Sequence, residues 1–366
     1  MKILQILRAP VGGLFRHVSD LTKGLHAKGH EVAVVVDQLT KDTQTDDKLA
    51  MLAPHATLGI HQIPIPRLFG LADLTTPLKI RGLVRSLEID IVHGHGAKGG
   101  FHARLGALGL HAKAFYTPHG GALHFSTSSP AGFVFHTLEK LLVPASQKII
   151  FESAYAQRTY NEAITQVGAR GVVIHNGLDE TEFKPISSDN TYAFAFVGEL
   201  RDLKGVAYLL DAFAQLVKQT DRDLRLLLIG DGPHRAQFED QANLLKIADK
   251  VDFWGARPAR DAFAKANTII VPSLKESLPY IVMEAVAAGK HVIATDVGGI
   301  SEIYGPRADQ LIAAADSTAL CQKMQDALAL PSGEEVPDSI LFEHVRSNFS
   351  TDRMVDGILA QYSAAK

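Results

Sequence analysis

The feature that most constrains this chain is a repeated alternation. Short, unbroken runs of aliphatic and β-branched residues are each followed by a longer stretch of helical periodicity. Val32-Ala33-Val34-Val35-Val36 is one such run. A strand with one wet face alternates apolar and polar residues. A run with no polar break needs cover on both faces, which a parallel sheet between layers of helices provides. Strands are expected over 3–7, 32–36, 89–93, 114–117, 148–151 and 172–174. A helix is expected over 14–28, ending at Gly29 as a helix C-terminus would. Strand then helix then strand describes a doubly wound α/β domain.

The pattern breaks at Phe183-Lys184-Pro185-Ile186-Ser187-Ser188-Asp189-Asn190-Thr191, where Pro, Ser, Asp and Asn cluster as in a linker. It then restarts, with strands expected over 193–197, 224–229, 251–254, 268–271 and 291–294. A chain of 366 residues exceeds what one core usually supports. Two α/β domains in series are therefore expected, with ligands at the carboxyl ends of their strands and an active site in the cleft between them.

Charge separates the two parts. Residues 1–186 carry 19 Lys and Arg against 15 Asp and Glu, and 13 of the 16 histidines; the rest carries 18 against 25. Opposite signs suggest different partners. Cys321 is the single cysteine, so no internal disulfide framework exists; its helical surroundings suit a structural role. No signal peptide and no membrane span are evident, and a cytoplasmic location is expected. No nucleic-acid partner is expected.

Four segments carry chemistry. Pro10-Val11-Gly12-Gly13-Leu14 joins the first strand to the first helix. Paired glycines let a ligand approach the backbone, and a helix N-terminus suits a phosphate or a sugar; a tight turn would explain the pair equally well. Val197-Gly198-Glu199-Leu200-Arg201-Asp202-Leu203-Lys204-Gly205 follows the first strand of the second half. Arg201 and Lys204 could neutralise a departing diphosphate, or pair with Glu199 and Asp202 in a solvated loop. In the third segment a buried strand ends at Pro272, and a helix that is apolar all round begins near Pro279. Glu284 would lie on that buried helix and need a partner, either sugar hydroxyls or a basic side chain. Glu276, in the loop before it, would face the cleft. Tyr116-Thr117-Pro118-His119-Gly120-Gly121 places a histidine at a strand end, as a ligand contact or an acid/base group.

Three patterns resemble sites without promising one. Gly230-Asp231-Gly232-Pro233-His234-Arg235 misses the third glycine of a dinucleotide fingerprint. Asp221-Arg222-Asp223 has the D-x-D spacing of a metal–diphosphate site, but falls between a helix and the next strand, away from the carboxyl ends. His93-Gly94-His95 could present two rings on one strand face, yet no third ligand is evident in the nearby sequence, so zinc is not expected.

Taken together these residues resemble a known family. Glu276 and Glu284, with the residues between them, resemble the E-x7-E motif of the retaining GT-B glycosyltransferases of family 4. Gly12-Gly13 with His17, and Gly29-His30-Glu31-Val32, resemble that family's opening. His175-Asn176-Gly177-Leu178-Asp179 with Phe183 resembles its domain boundary. Asp296-Val297-Gly298-Gly299-Ile300-Ser301-Glu302 resembles the segment after its E-x7-E helix.

The resemblance implies two Rossmann-like domains: 1–186 on the acceptor side, 187–349 for the nucleotide-sugar, and a helix within 350–366 packing back on the first. It also implies roles. Glu276 would contact the transferred sugar, Glu284 the ribose, and Ser277 and Leu278 the diphosphate or sugar oxygens. Lys204 with an arginine would hold the diphosphate, Gly13 (beside Gly12) would approach it, and His119 would lie near sugar and acceptor. Neither metal nor other cofactor is implied, and retention is. Two departures stand out: Glu199 occupies the family's usual arginine position, leaving Arg201 as a substitute, and Ser277 replaces the usual glycine after the first Glu.

The expected activity is transfer from a UDP- or GDP-linked sugar to a glycan or lipid-linked acceptor, as in surface or exopolysaccharide synthesis. A nucleotide-sugar epimerase and a silent nucleotide-sugar-binding protein are the rivals. The stretch from Pro66 to Arg85 interleaves Arg67, Lys79, Arg81 and Arg85 with apolar residues and holds one acid, Asp73. It suits either peripheral contact with an anionic membrane or a core helix with a basic solvated face.

Overall fold

The computed structural model describes residues 1–38, 45–67, 70–119, 130–330 and 338–365. It divides into two compact units: 1–177 with 351–366, and 178–350.

In the first unit the strands are β1 (Lys2–Ile6), β2 (Glu31–Asp37), β3 (Ile60–Ile63), β4 (Ile91–His95), β5 (Lys113–Thr117), β6 (Lys148–Phe151) and β7 (Gly171–Val173). They form one sheet in the order β3-β2-β1-β4-β5-β6-β7, every recorded pair parallel. Unbroken apolar runs are buried as two-sided strands must be: every residue of β2 after Glu31 is buried. β3 is an edge strand with only Ile63 buried, which is why its mixed sequence, Ile60-His61-Gln62-Ile63, gives no strand signal. β4 runs two residues past the expected end, so His93 and His95 both lie within it. Gly94 allows this: a Cβ there would stand 2.5 Å from the Gly99 carbonyl oxygen, so only glycine lets the helix Gly96–Ala107 lie so close.

The final helix, Thr351–Ser363, belongs to this first unit. Val355 fills the notch that Gly24 leaves in the helix Gly12–Ala27, and Tyr362 is fully buried. Arg104, with no exposed surface, holds Glu139 through both guanidinium NH groups at 3.1 and 2.9 Å. Tyr116 and Tyr160 each donate to the same carboxylate at 3.1 Å, so the buried charges are paired and hydrogen-bonded.

The second unit has β8 (Phe194–Val197), β9 (Leu226–Ile229), β10 (Val251–Gly255), β11 (Thr268–Val271) and β12 (His291–Ala294), all parallel, in the order β10-β9-β8-β11-β12. The segment whose composition suggests a linker is strapped to this unit. Ile186 N donates to Ala288 O, Asp189 pairs with Lys265 at 2.5 Å, and Phe183 is buried in the core with Leu178. The chain therefore changes unit at Gly177, ahead of the polar stretch.

In both units strand order reverses between the unit's first and fourth strands: β1 and β4 in one, β8 and β11 in the other. Loops leaving the carboxyl ends of those strands diverge to opposite faces, and that is where an open α/β sheet leaves room for a ligand.

Candidate active site

In the second unit the loop after β8 carries Lys204 and the loop after β11 carries Glu276, one on each side of the strand-order reversal. Lys204 Nζ donates to Glu276 Oε1 at 2.7 Å, and Ser273 Oγ donates to the same oxygen at 2.7 Å. The Glu276 side chain is 10% exposed and that of Lys204 27%. The two loops are stitched together by backbone: Leu274 N donates to Leu203 O at 2.9 Å.

Two glycines fix this geometry. Gly205 has φ +69°, and a Cβ on it would fall 1.9 Å from the Pro272 carbonyl oxygen. Gly298 has φ +63°, and its Cβ would fall 1.9 Å from the Glu276 carbonyl oxygen. Both positions need the left-handed backbone and the missing side chain at once. The Ser277 carbonyl accepts from Gly299 N at 2.8 Å, and Leu278 is buried in the core. The Glu276–Leu278 turn is thus held by the segment that follows β12.

Of the two pairings open for the β8 loop, Arg201 takes the local one. It reaches Glu199 at 3.4 Å, with both side chains about half exposed. Lys204 takes neither Glu199 nor Asp202; Asp202 is paired with His234. The helix after Pro279, Tyr280–Ala287, is buried nearly all round, as its composition requires. Glu284 is half-buried rather than enclosed, because it lies on the one stripe that Met283 and Ala285 do not share.

Asp221, Arg222 and Asp223 are all exposed, before the amino end of β9. Asp223 is held by Lys250 at 2.8 Å and Arg222 by the Leu328 carbonyl at 3.0 Å, far along the strands from the Lys204 loop. Gly230 and Gly232 form a strand–turn–helix junction: Gly230 has φ +145° and lies against the Gly198 carbonyl. Cys321 is buried in the helix Ser317–Ala327, its thiol pushed up by burial.

In the first unit Gly12 and Gly13 open the helix Gly12–Ala27 and are exposed. Gly12 has φ +63° with nothing within 4 Å of a Cβ built on it, and no side chain caps this helix start. Its first turn holds no acid, so the amides there are accessible to an anion.

His119 follows β5 with φ +47°, in the left-handed region that a side chain rarely adopts. It does not stand alone. Its Nε2–H donates to His95 Nδ1 at 3.1 Å, and its ring packs edge-on against His17, centroids 4.7 Å apart. His95 Nε2–H donates to Gln5 Oε1 at 2.6 Å, and His17 Nδ1–H to Asn176 Oδ1 at 2.8 Å. His93, whose ring centroid lies 4.1 Å from that of His95, meets the Tyr362 hydroxyl at 2.6 Å and the Thr117 hydroxyl at 2.9 Å.

Burial lowers the basicity of all four rings. His17 falls to about 4, and His93, His95 and His119 lie well below the usual imidazole value, each further depressed by a neighbouring ring. At neutral pH the cluster is uncharged. The sequence pairs His93 with His95, but the fold sets His95 beside His17 from the first helix and His119 from the loop after β5, and His93 is not part of that group. Gly120 and Gly121 lie outside the described residues. Gln5 was the one local signal, a buried polar residue between the apolar Leu4 and Ile6 of β1.

Two family models match the two parts of the chain. The family described as Glycosyltransferase Family 4 matches residues 11–182, and that described as Glycosyl transferases group 1 matches 191–329. An uncharacterised glycosyltransferase of Methanocaldococcus jannaschii is 29% identical over 83% of this chain and 81% of its own length. The putative glycosyltransferase EpsD of Bacillus subtilis is 27% identical over 92% and 90%. Among solved structures, Anabaena HepE in complex with UDP and glucose superposes with a TM-score of 0.80 at 19% identity, covering all of both chains.

Proposed function

Since this chain belongs to the family 4, group 1 glycosyltransferases of the GT-B class, we propose that it moves a hexosyl group from a UDP- or GDP-linked donor to a glycan or lipid-linked acceptor, with retention of configuration. The observation that carries this reading is the Lys204–Glu276 pair on two stitched loops. A diphosphate arriving at the β8 loop draws Lys204 away as its counter-charge. Glu276, still held by Ser273, then accepts from hydroxyls of the transferred sugar. Arg201 needs only to exchange an exposed partner to join Lys204. Ser277 and Leu278 offer backbone groups to phosphate or sugar oxygens, Glu284 serves the ribose, Gly12 and Gly13 admit the diphosphate to a helix start, and His119 faces the acceptor. HepE, solved in complex with UDP and glucose, supports a UDP-linked donor.

Departure of the diphosphate needs no metal in this scheme. Lys204 supplies the charge, and Asp221 and Asp223 lie at the wrong end of their strand. Transfer should therefore survive exhaustive EDTA treatment. Loss with chelator and rescue by Mn²⁺ would overturn this part of the reading. Incubation with donor and no acceptor separates transfer from epimerisation, and a thermal-shift series over nucleotide-sugars identifies the donor, since a ligand bound only by the folded state raises Tm.

One observation favours a membrane-borne acceptor. On the helix Ala72–Ser86 and its N-cap, Leu71, Leu74 and Leu78 are 85%, 72% and 67% exposed at i, i+3 and i+7, one stripe. Lys79 and Arg85 flank it, and Arg81 reaches the Leu108 carbonyl at 2.6 Å. The one acid, Asp73, is withdrawn into the interior by Lys98 and His102. An apolar stripe rimmed by cations suits shallow insertion into an anionic leaflet on the cytoplasmic side, with surface-polysaccharide assembly the matching role. Leu68 and Phe69 lie outside the described residues. No described helix is long and apolar enough to cross a membrane.

A further inference from the structure

The histidine cluster of the first unit holds an unfilled valence. Hydrogen bonding to two amide oxygens fixes two tautomers: Asn176 Oδ1 puts the His17 proton on Nδ1, and Gln5 Oε1 puts the His95 proton on Nε2. His17 Nε2 and His95 Nδ1 are therefore bare lone pairs. The second accepts from His119. The first is buried and has no partner among the described residues. A buried acceptor left unsatisfied is costly, and a non-glycine residue at φ +47° adds strain at His119.

The arrangement fits a ligand that takes lone pairs from all three rings. One nitrogen from each of His17, His95 and His119 lies within 4.8 Å of the other two. Two nitrogens bound at about 2.0–2.1 Å to one tetrahedral ion stand about 3.3 Å apart. The His95–His119 separation of 3.1 Å is already close to that value, and small ring rotations bring in His17. Metal-bound histidines also characteristically donate their second N–H to an oxygen acceptor that fixes tautomer and ring angle, which Gln5 and Asn176 do here. The supports are rigid: His95 ends a central strand and His17 lies on the first helix.

We propose that His17, His95 and His119 form a three-imidazole site for a divalent transition ion of the zinc class, with an open fourth position. All-nitrogen ligation excludes Mg²⁺ and Ca²⁺, which take oxygen. Binding takes the other neutral tautomer of His119, with its proton moved from Nε2 to Nδ1, so that each ring presents one bare nitrogen. This ion is not the diphosphate's counter-charge, a role assigned above to Lys204, and the inference does not depend on the transfer reaction.

The test uses the full chain stripped of metal, then loaded with Co²⁺ or Zn²⁺ and freed of excess. About one equivalent of metal should be retained, with the intense visible bands of tetrahedral cobalt and a raised Tm. His17→Gln and His119→Gln should each lose the bands and the retained metal, while His111→Gln, changing an exposed histidine, should keep both. Asn176→Ala keeps all three ligands and should weaken affinity about 10–100-fold, the effect of removing an outer partner. His119→Gln and Asn176→Ala decide the matter if His17→Gln fails to fold. Retention of well under one equivalent, a pale octahedral cobalt spectrum, or equal binding by wild type and His119→Gln would each overturn the proposal. Transfer by the stripped chain bears on the proposed function alone.

Discussion

The two units place functional side chains at the same topological position and solve its electrostatics in opposite ways. In the second unit the strand-order reversal between β8 and β11 holds a charged pair, Lys204 and Glu276, partly open to solvent. In the first unit the reversal between β1 and β4 holds neutral rings, His17, His93 and His95 buried and His119 partly so, linked through amides and hydroxyls. The difference teaches what each can do. A pair of opposite charges can open toward a charged ligand and close again, because each partner is satisfied in its absence. A cluster of unprotonated imidazoles offers lone pairs instead, to a hydroxyl proton or to a metal ion, and repels nothing. On the proposed function, the charged pair answers the polyanionic leaving group and the neutral rings face the uncharged acceptor.

The sharpest way to break this comparison is at Glu276. Glu276→Ala should lower kcat by about 10²–10³-fold, the scale of losing a transition-state contact in an enclosed site, with the melting curve little changed. Near-normal turnover in a folded variant would show that the charged reversal is structural. Lys204 comes next. Lys204→Ala should reduce kcat/KM for the donor about 10²-fold, and Lys204→Arg much less, since a cation remains near the diphosphate. Equal losses would mean that Lys204 acts through packing and not through charge.

The third pair contrasts the glycines. Gly298→Ala must displace the Glu276 carbonyl, 1.9 Å from the new Cβ, so it should cost about 1–3 kcal/mol in stability and lower kcat as well. Gly12→Ala has the same sign of φ and open space, so only backbone strain remains, about 1 kcal/mol, readable from chemical denaturation. If the two cost the same, close packing is not what holds the Glu276 turn. The smallest effect is expected on the surface. The Arg81→Ala/Arg85→Ala double variant should keep its Tm within about a degree and lose salt-sensitive co-sedimentation with anionic vesicles, since surface substitutions usually stay within about 0.5 kcal/mol. No sedimentation of the wild type under any condition would remove the membrane-borne acceptor.

Much of the fold was legible in the sequence, for a local reason. Strands buried on both faces must be apolar throughout, so β2, β6, β11 and β12 fall where the runs fall. β3 escaped because an edge strand is only half covered and carries polar residues. β4 runs past the apolar run because Gly94, without a side chain, lets the following helix pack close and the strand continue to His95. The loops bearing Lys204 and Glu276 were legible as strand-to-helix turns, but not that these two residues are each other's partners.

What the sequence by itself determined is everything set within one element: the alternation that makes two doubly wound units, the apolar helix after Pro279, the glycines where chain must turn, and the spacing from Glu276 to Glu284. What only the tertiary structure decided is who meets whom. Lys204 and Glu276 lie 72 residues apart, and His17 and Asn176 lie 159 apart. His17, His95 and His119 come from a helix, a strand end and a loop. The physical reason is that hydrophobic periodicity marks a strand without naming its neighbours. The order β3-β2-β1-β4 and the order β9-β8-β11 are chosen by packing the whole sheet, and only that order sets the functional loops side by side.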